Sequence, residues 1–235
     1  MMRRLVMLAL LPLLFAVAGT AWAVEPFHAT YDVYRGGRAI GVATLQVVRD
    51  GGRWRIDLVM DGKGLVGLAG LNAQQSTVFD EVNGTYRPLA QSTVRTLLFT
   101  RKQTTGTYDW SAGRATWTGD VKKTRQAPVA IQPGDMSGLL INLAVIRDAR
   151  PGALLQYRYV DSGRVRPHRY AVSAQTEAMT VDELHYDALR VDRVQSGAEQ
   201  TSIWVAEGVP TPIRILQREN GEDTYDLRLI EYKGA

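Results

Sequence analysis

The sequence contains no cysteine among its 235 residues. This absence excludes disulfide bonds, and it argues against a lipid-modified bacterial lipoprotein, because such a protein carries its acyl anchor on an N-terminal cysteine. Stability must therefore come from packing. A chain of this length can bury an adequate core as one domain.

Histidine is also scarce, with only His28, His168 and His185 in the chain. None belongs to an H-x-H or H-E-x-x-H pattern, so the sequence predicts no metal site and no cofactor. No G-x-S-x-G elbow nominates a nucleophilic serine. A catalytic triad can assemble from distant positions, so a hydrolase built from scattered residues stays open as an alternative, but no motif supports it. We expect a protein that is not an enzyme.

Long apolar runs are missing except for residues 5–19, which follow the basic start Met1-Met2-Arg3-Arg4. The run is short for a bilayer span, and Ala21-Trp22-Ala23 has the small-x-small form of a cleavage site. We interpret residues 1–23 as a cleavable signal peptide and residues 24–235 as a single mature domain. An uncleaved membrane anchor is the alternative. After cleavage we expect no integral membrane span.

A strong charge imbalance is absent too, because removal of Arg3 and Arg4 leaves the mature chain only slightly basic. Nucleic-acid binders show a concentrated basic face, so we expect no nucleic-acid partner. One stretch does gather basic residues, and its simplest interpretation is a solvated strand face or loop. A surface for anionic lipid headgroups is the alternative. The residues are Arg95, Arg101, Lys102, Arg114, Lys122, Lys123 and Arg125.

Two short patterns that mark enzymes elsewhere have simpler interpretations here. Residues 62–67 match G-x-G-x-x-G, but dinucleotide folds alternate strands with helices, and only strand patterns follow. We interpret residues 62–71 as an apolar, glycine-rich lid or a plain loop on the core. Asp161-Ser162-Gly163 resembles the aspartic-protease triplet, but no second copy supplies the partner carboxylate. These three residues are ordinary turn formers.

Most of the mature chain alternates apolar and polar residues over short segments that end at turn formers. Residues 27–34 do so before Gly36-Gly37, and Asn83-Gly84 is a type I′ turn signal. Short strands at such regular spacing favour an all-β barrel or sandwich.

One long helical pattern interrupts the strands at residues 134–147. Asp135 is the predicted N-cap, and Pro151-Gly152 stops the helix. We predict a mainly β fold, in which a curved antiparallel sheet, or half-open β-barrel, carries one central amphipathic helix on its concave face. The apolar stripe consists of Met136, Leu139, Leu140, Leu143 and Ile146.

Two segments are together similar to a known family. Residues 133–140 form a Pro-x-Asp helix start, and residues 203–215 form a Trp strand followed by Pro-x-Pro-x-Arg. With the signal peptide and the opening strand at residues 29–34, the chain resembles the DUF3108 family of bacterial exported proteins of unknown function. The resemblance implies a periplasmic location and a shape similar to the half-open barrels of the lipoprotein carriers LolA and LolB. It implies no activity.

These observations support two hypotheses of function. The first is non-enzymatic binding of a lipid, an acyl chain or a lipidated partner in an apolar cavity between sheet and helix, although the same residues can also form a dry core. The second is a structural or protein-interaction module of the cell envelope, which binds an envelope protein and no small molecule. The candidate lining residues are Leu65, Val66 and Leu68 from the lid, and Leu139, Leu140 and Leu143 from the helix.

Overall fold

The computed structural model describes residues 24–64, 72–97, 100–181, 183–195 and 197–234. Their strands form one sheet. Across these ranges, none of the helices combines the length and hydropathy that a membrane crossing requires. The longest helix within these ranges, α1, spans Gly138–Asp148. The strands are β1 Phe27–Arg35, β2 Arg38–Asp50, β3 Arg53–Gly62, β4 Asn72–Val82, β5 Thr85–Leu97, β6 Thr100–Asp109, β7 Arg114–Gly119, β8 Val129–Ala130, β9 Asp135–Met136, β10 Leu154–Asp161, β11 Arg164–Val181, β12 Leu184–Val194, β13 Glu199–Ala206, β14 Arg214–Glu219 and β15 Glu222–Gly234.

The sheet is built outwards from β1, which pairs with β2 on one side and with β15 on the other. Strands β2 to β8 follow in order on the first side, and β15 back to β9 follow on the second. All pairings are antiparallel except the short parallel contact between β9 and β10. The edges of the sheet are therefore β8 and β9, and the predicted mainly β fold with a curved sheet and a helix is confirmed.

Alternating burial explains why the strands form. In β1 the side chains of Phe27, Ala29, Tyr31 and Val33 are buried, whereas the residues between them are more exposed. Successive side chains of a strand point to opposite faces, so one face of β1 packs on the core. The predicted Asn83-Gly84 turn is also confirmed, because both residues have the positive φ that a type I′ turn requires.

Helix α1 lies against the concave face of the sheet and is buried more widely than the predicted stripe. Ile141, Ala144 and Val145 are buried in addition to the stripe residues. A helix on a flat sheet leaves one side in water. Here the sheet curves around the helix, so positions off the main stripe are covered as well.

The helix begins two residues later than predicted, and Ser137 is the N-cap instead of Asp135. The Ser137 hydroxyl accepts the Leu140 amide at 3.4 Å and lies 2.9 Å from the Thr77 hydroxyl on β4. The buried Asp135 carboxylate instead accepts the Gln132 amide at 2.9 Å and the Arg158 guanidinium at 3.0 Å. The prediction was wrong because Asp135 lies in the short strand β9, where Arg158 of the paired strand β10 binds its carboxylate.

The second segment that resembles the DUF3108 family, residues 203–215, contains the loop between β13 and β14, which is fastened to β1. The Tyr31 hydroxyl donates to the Pro212 carbonyl oxygen at 2.8 Å and lies against the Thr211 hydroxyl. Complete burial raises the pKa of Tyr31 above its ordinary value. The loop after β13 is thus packed in the interior of the fold against β1.

Side chains bridge the opening of the sheet where β10 approaches β5 and β6. The Tyr108 hydroxyl lies 2.6 Å from Oε1 of Gln91 and 2.8 Å from the Val160 carbonyl oxygen. These two acceptors share its single proton. The Gln91 amide donates to the Asp161 carboxylate. A small separate core surrounds this bridge and comprises Tyr108, Ala115, Trp117, Ile131 and Val160.

We predict that Tyr108→Phe lowers the free energy of unfolding by about 1–2 kcal/mol, because buried acceptors on Gln91 and Val160 lose their donor. Urea denaturation of the mature domain measures this change. Tyr232→Phe is the control, since that ring is 37% exposed at the end of β15. Equal effects of the two substitutions would contradict the bridging role.

Candidate ligand cavity

A cavity of about 520 Å³ lies between the N-terminal half of α1 and the concave face of the sheet. Ligand pockets in proteins usually range from about 300 to 1,000 Å³, so this space is large enough for a small molecule or a lipid chain. Its walls come from strands on both sides of β1 and from the helix residues Gly138, Leu139, Ile141 and Asn142.

One wall of the cavity is a continuous apolar row. The strand register places Ile203 of β13 opposite Ile215 of β14, and Ile215 opposite Leu227 of β15. Val33 of β1 lies opposite Leu227 and extends the row. All four side chains line the cavity. Directly paired residues stand side by side on one face, so this wall presents an unbroken apolar strip.

A polar row runs beside the apolar one, two residues nearer the β14–β15 turn. Thr201 lies opposite Gln217, and Gln217 lies opposite Tyr225. Because every second residue of a strand shares a face, these three also point into the cavity, as their lining positions show. Arg193 of β12, which lies opposite Tyr170 of β11, continues the polar side. We call Arg193, Thr201, Gln217 and Tyr225 the polar row.

The other side of the cavity is mixed in character. Leu58 and Met60 of β3 lie opposite Gln75 and Ala73 of β4, and all four line the space. The Asp61 carboxylate accepts the Asn72 side-chain amide at 2.7 Å.

A cluster of polar and aromatic side chains holds Arg193 in place. Its Nη2 lies 2.9 Å from Nε2 of His168. A guanidinium only donates, so Nε2 of His168 accepts this bond. The His168 ring stacks on Tyr159 with 4.5 Å between ring centroids. Burial, and then the charges of Arg193 and Arg166, lower the pKa of His168 to about 4. His168 is therefore neutral at pH 7.

The same cluster connects to the bridge across the sheet opening. The Tyr159 hydroxyl donates to the Asp161 carboxylate at 2.8 Å, and Asp161 also accepts from Gln91. Burial, and then the Asp161 charge, raise the pKa of Tyr159 above its ordinary value. Asp161 is thus engaged by neutral donors, and within the described ranges no carboxylate lies within 4 Å of the Arg193 guanidinium.

Two of the histidines each form a hydrogen bond with one neighbouring side chain. His168 is occupied by Arg193, and His185 lies elsewhere, on β12, beside Thr180 at 2.9 Å. In the part of the chain that the structure describes, no three histidine or acidic residues are grouped to hold a metal ion. The expectations of no cofactor and no enzymatic activity stay predictions.

Of the three helix residues that were predicted to line the cavity, the structure places one in its wall. Leu139 lies in the cavity wall, whereas Leu140 and Leu143 are buried in the core and do not line the cavity. Leu65, Val66 and Leu68 lie outside the described residues. Sequence reasoning missed the strand residues of both rows. Alternation alone showed which residues share a face, but it did not show which face points inward.

Two other sequence patterns have clear positions. Ser162 and Gly163 have positive φ in the tight turn between β10 and β11, which confirms the turn interpretation of Asp161-Ser162-Gly163. In the basic stretch, Arg125 is half-buried and the other six residues are exposed. Whether this stretch meets anionic lipid stays a prediction.

Comparison with known proteins gives a family and a fold. The family model described as protein of unknown function (DUF3108) matches residues 30–228. No curated protein matches the chain. A β-barrel-like protein of the domain of unknown function DUF1849 from Brucella abortus is similar in structure, with a TM-score of 0.54 and 10% sequence identity over 90% of this chain and 98% of that chain.

A DUF1089 family protein from Pseudomonas aeruginosa is 12% identical over 73% of this chain and 87% of that chain. Its TM-score of 0.37 is too low to support a shared fold. The Brucella protein, at 10% identity, shows the barrel-like fold alone.

The low pKa of His168 predicts a specific loss of stability in acid. As the pH falls below 6.5, His168 becomes protonated in the unfolded chain. In the folded protein the same imidazole stays neutral until about pH 4. The free energy of unfolding should therefore fall between pH 6.5 and pH 4, by about 1–2 kcal/mol from this residue. Urea denaturation at pH 7 and pH 4.5 should show a smaller loss in His168→Gln. The exposed His185→Gln is the control, and identical pH dependence in all three proteins would refute the assignment.

Proposed function

The chain belongs to the DUF3108 family, and from its cavity we propose that it binds the apolar chain of a lipid, a free acyl chain or a lipidated partner, without catalysing a reaction. The observation that carries this proposal is the apolar row of Val33, Ile203, Ile215 and Leu227 facing α1 across about 520 Å³. An apolar chain placed against this row leaves water, and such burial is the main favourable term in binding lipids.

The helix supports the proposal from the opposite side. Leu139 and Ile141 line the same space, so a bound chain contacts apolar side chains on both sides. The helix itself is held by the Ser137 and Thr77 hydroxyls and by the burial of Leu140. The cavity therefore has fixed walls, which lowers the cost of ordering the protein on binding.

The proposed location is the periplasm, after removal of residues 1–23. The basic start, the apolar run at residues 5–19 and Ala21-Trp22-Ala23 support export. Residues 24–235 act as one domain in this proposal. The pairing of β1 with β15 supports it, because it joins Phe27 to Gly234 in one sheet.

We predict that Ala73→Trp abolishes or strongly weakens binding of a dansyl-labelled fatty acid. Ala73 lines the cavity, and an indole there occupies the space of the ligand. Titration of the mature domain with the probe should give saturable fluorescence, with affinity reduced at least about tenfold in the variant. The matched control is Gln74→Trp, whose position is the exposed neighbour on the other face of β4.

Native mass spectrometry of protein purified from a bacterial periplasm, followed by lipid extraction, identifies the natural ligand. Saturable probe binding that Ala73→Trp weakens and Gln74→Trp leaves unchanged supports the proposal. Absence of saturable binding by the unsubstituted domain, with a clean mass after incubation with membrane lipids, refutes it. That result would favour the protein-interaction module of the cell envelope.

A further inference from the structure

The charge balance of the cavity is unequal. Its lining includes two arginines, Arg95 and Arg193, and one carboxylate, Asp61. Asp61 is on β3 and accepts a hydrogen bond from Asn72. Because His168 is neutral at pH 7, it does not change the sum. Among the described residues, the lining therefore carries a net positive charge.

Arg193 lies on β12, which is paired with β13 at one end of the apolar row. It is half-buried, its guanidinium donates to a neutral imidazole, and within the described residues no carboxylate lies within 4 Å. A half-buried charge without an opposite charge is costly, and an anion that enters the cavity relieves that cost. The nearest acid of the cluster, Asp161, is engaged by Tyr159 and Gln91, and Arg166 adds a further positive charge beside His168.

Resting on the proposed function, we propose that the polar row is an anion subsite. The guanidinium of Arg193 binds the carboxylate or phosphate head of an amphipathic ligand whose chain lies along the apolar row. Thr201, Gln217 and Tyr225 supply further hydrogen-bond donors beside it. The ligand class is therefore an anionic single-chain amphiphile.

The spacing of the two rows fits one molecule of this class. Thr201 and Ile203 share a face of β13 and are two residues apart, as are Gln217 and Ile215 on β14. Two residues of a strand span roughly 7 Å. A head group bound at the polar row therefore places the first carbons of its chain on the apolar row.

His168 is a positioning residue for this subsite. It accepts one of the five N–H groups of Arg193, which leaves the others for the ligand. Stacking on Tyr159 fixes the imidazole plane, and the Tyr159 hydroxyl is fixed in turn by Asp161. Arg193 is thus held in position before a ligand arrives, which reduces the cost of ordering it on binding.

Isothermal titration calorimetry of the mature domain with decanoate, decyl phosphate and decanol tests the subsite. These probes share a chain and differ in head-group charge. The unsubstituted domain should bind the two anions at least about tenfold more tightly than the alcohol, because the bond to a charged group is the stronger one. Arg193→Gln should reduce both anions to the affinity of the alcohol and leave the alcohol unchanged.

Arg193→Lys should keep part of the preference for the anions over decanol, because lysine keeps the positive charge but lacks the planar guanidinium that binds with two N–H groups. Arg169→Gln is the matched control, since it removes one charge from an exposed position next to His168 on the opposite face of β11. It should bind all three probes as the unsubstituted domain does.

Three outcomes overturn the proposal. Equal affinity of the unsubstituted domain for the anions and decanol shows that the charge of the head group does not contribute to binding. Equal weakening of all three probes by Arg193→Gln shows a structural role for the arginine. Inorganic phosphate that binds as tightly as decyl phosphate shows a site for free anions. Failure of every amphiphile to bind overturns the proposed function itself, which separates it from failure of the subsite alone.

Discussion

The burial of helix α1 is the constraint on which the rest of the structure depends. Seven of its eleven residues are buried, and Leu140, Ala144 and Val145 have no exposed surface. A helix that is apolar over most of its circumference is not satisfied by a flat surface, because half of it remains in water. The long sheet therefore has to curve around it. Space that the helix and sheet do not fill between them becomes the cavity.

One chain of hydrogen bonds and stacked rings serves both the opening of the sheet and the cavity. Asp161 accepts from Gln91 on the far side of the opening and from Tyr159 on the cavity side. Tyr159 stacks on His168, and His168 accepts from Arg193. The position of the arginine thus depends on the same contacts that bring β10 to β5. The position of Arg193 in the polar row and the contacts across the sheet opening are coupled through these polar groups.

Local patterns predicted the fold well, because strands, tight turns and the helix each leave a short-range signal. Alternation predicted β1, and Asn83-Gly84 predicted the turn between β4 and β5. The predicted Asp135 cap was wrong because Arg158 of the paired strand β10 binds its carboxylate. The polar row was not predicted either, since the pairing of Thr201 with Gln217 depends on the register between strands. The two segments that resemble the family also have structural roles: one contains the helix start, and the other fastens the β13–β14 loop to β1.

The position of β1 in the middle of the sheet has a consequence for folding. Its neighbours are the next strand in sequence and the last, so Phe27 pairs with both Val47 and Gly234. Strands β1 to β8 can pair as successive hairpins, and so can β10 to β15. The pairing of β1 with β15, by contrast, closes a loop of nearly the whole domain. Such long-range pairing is slow to form. We expect the two halves to assemble first, with enclosure of the helix waiting until the ends of the chain meet.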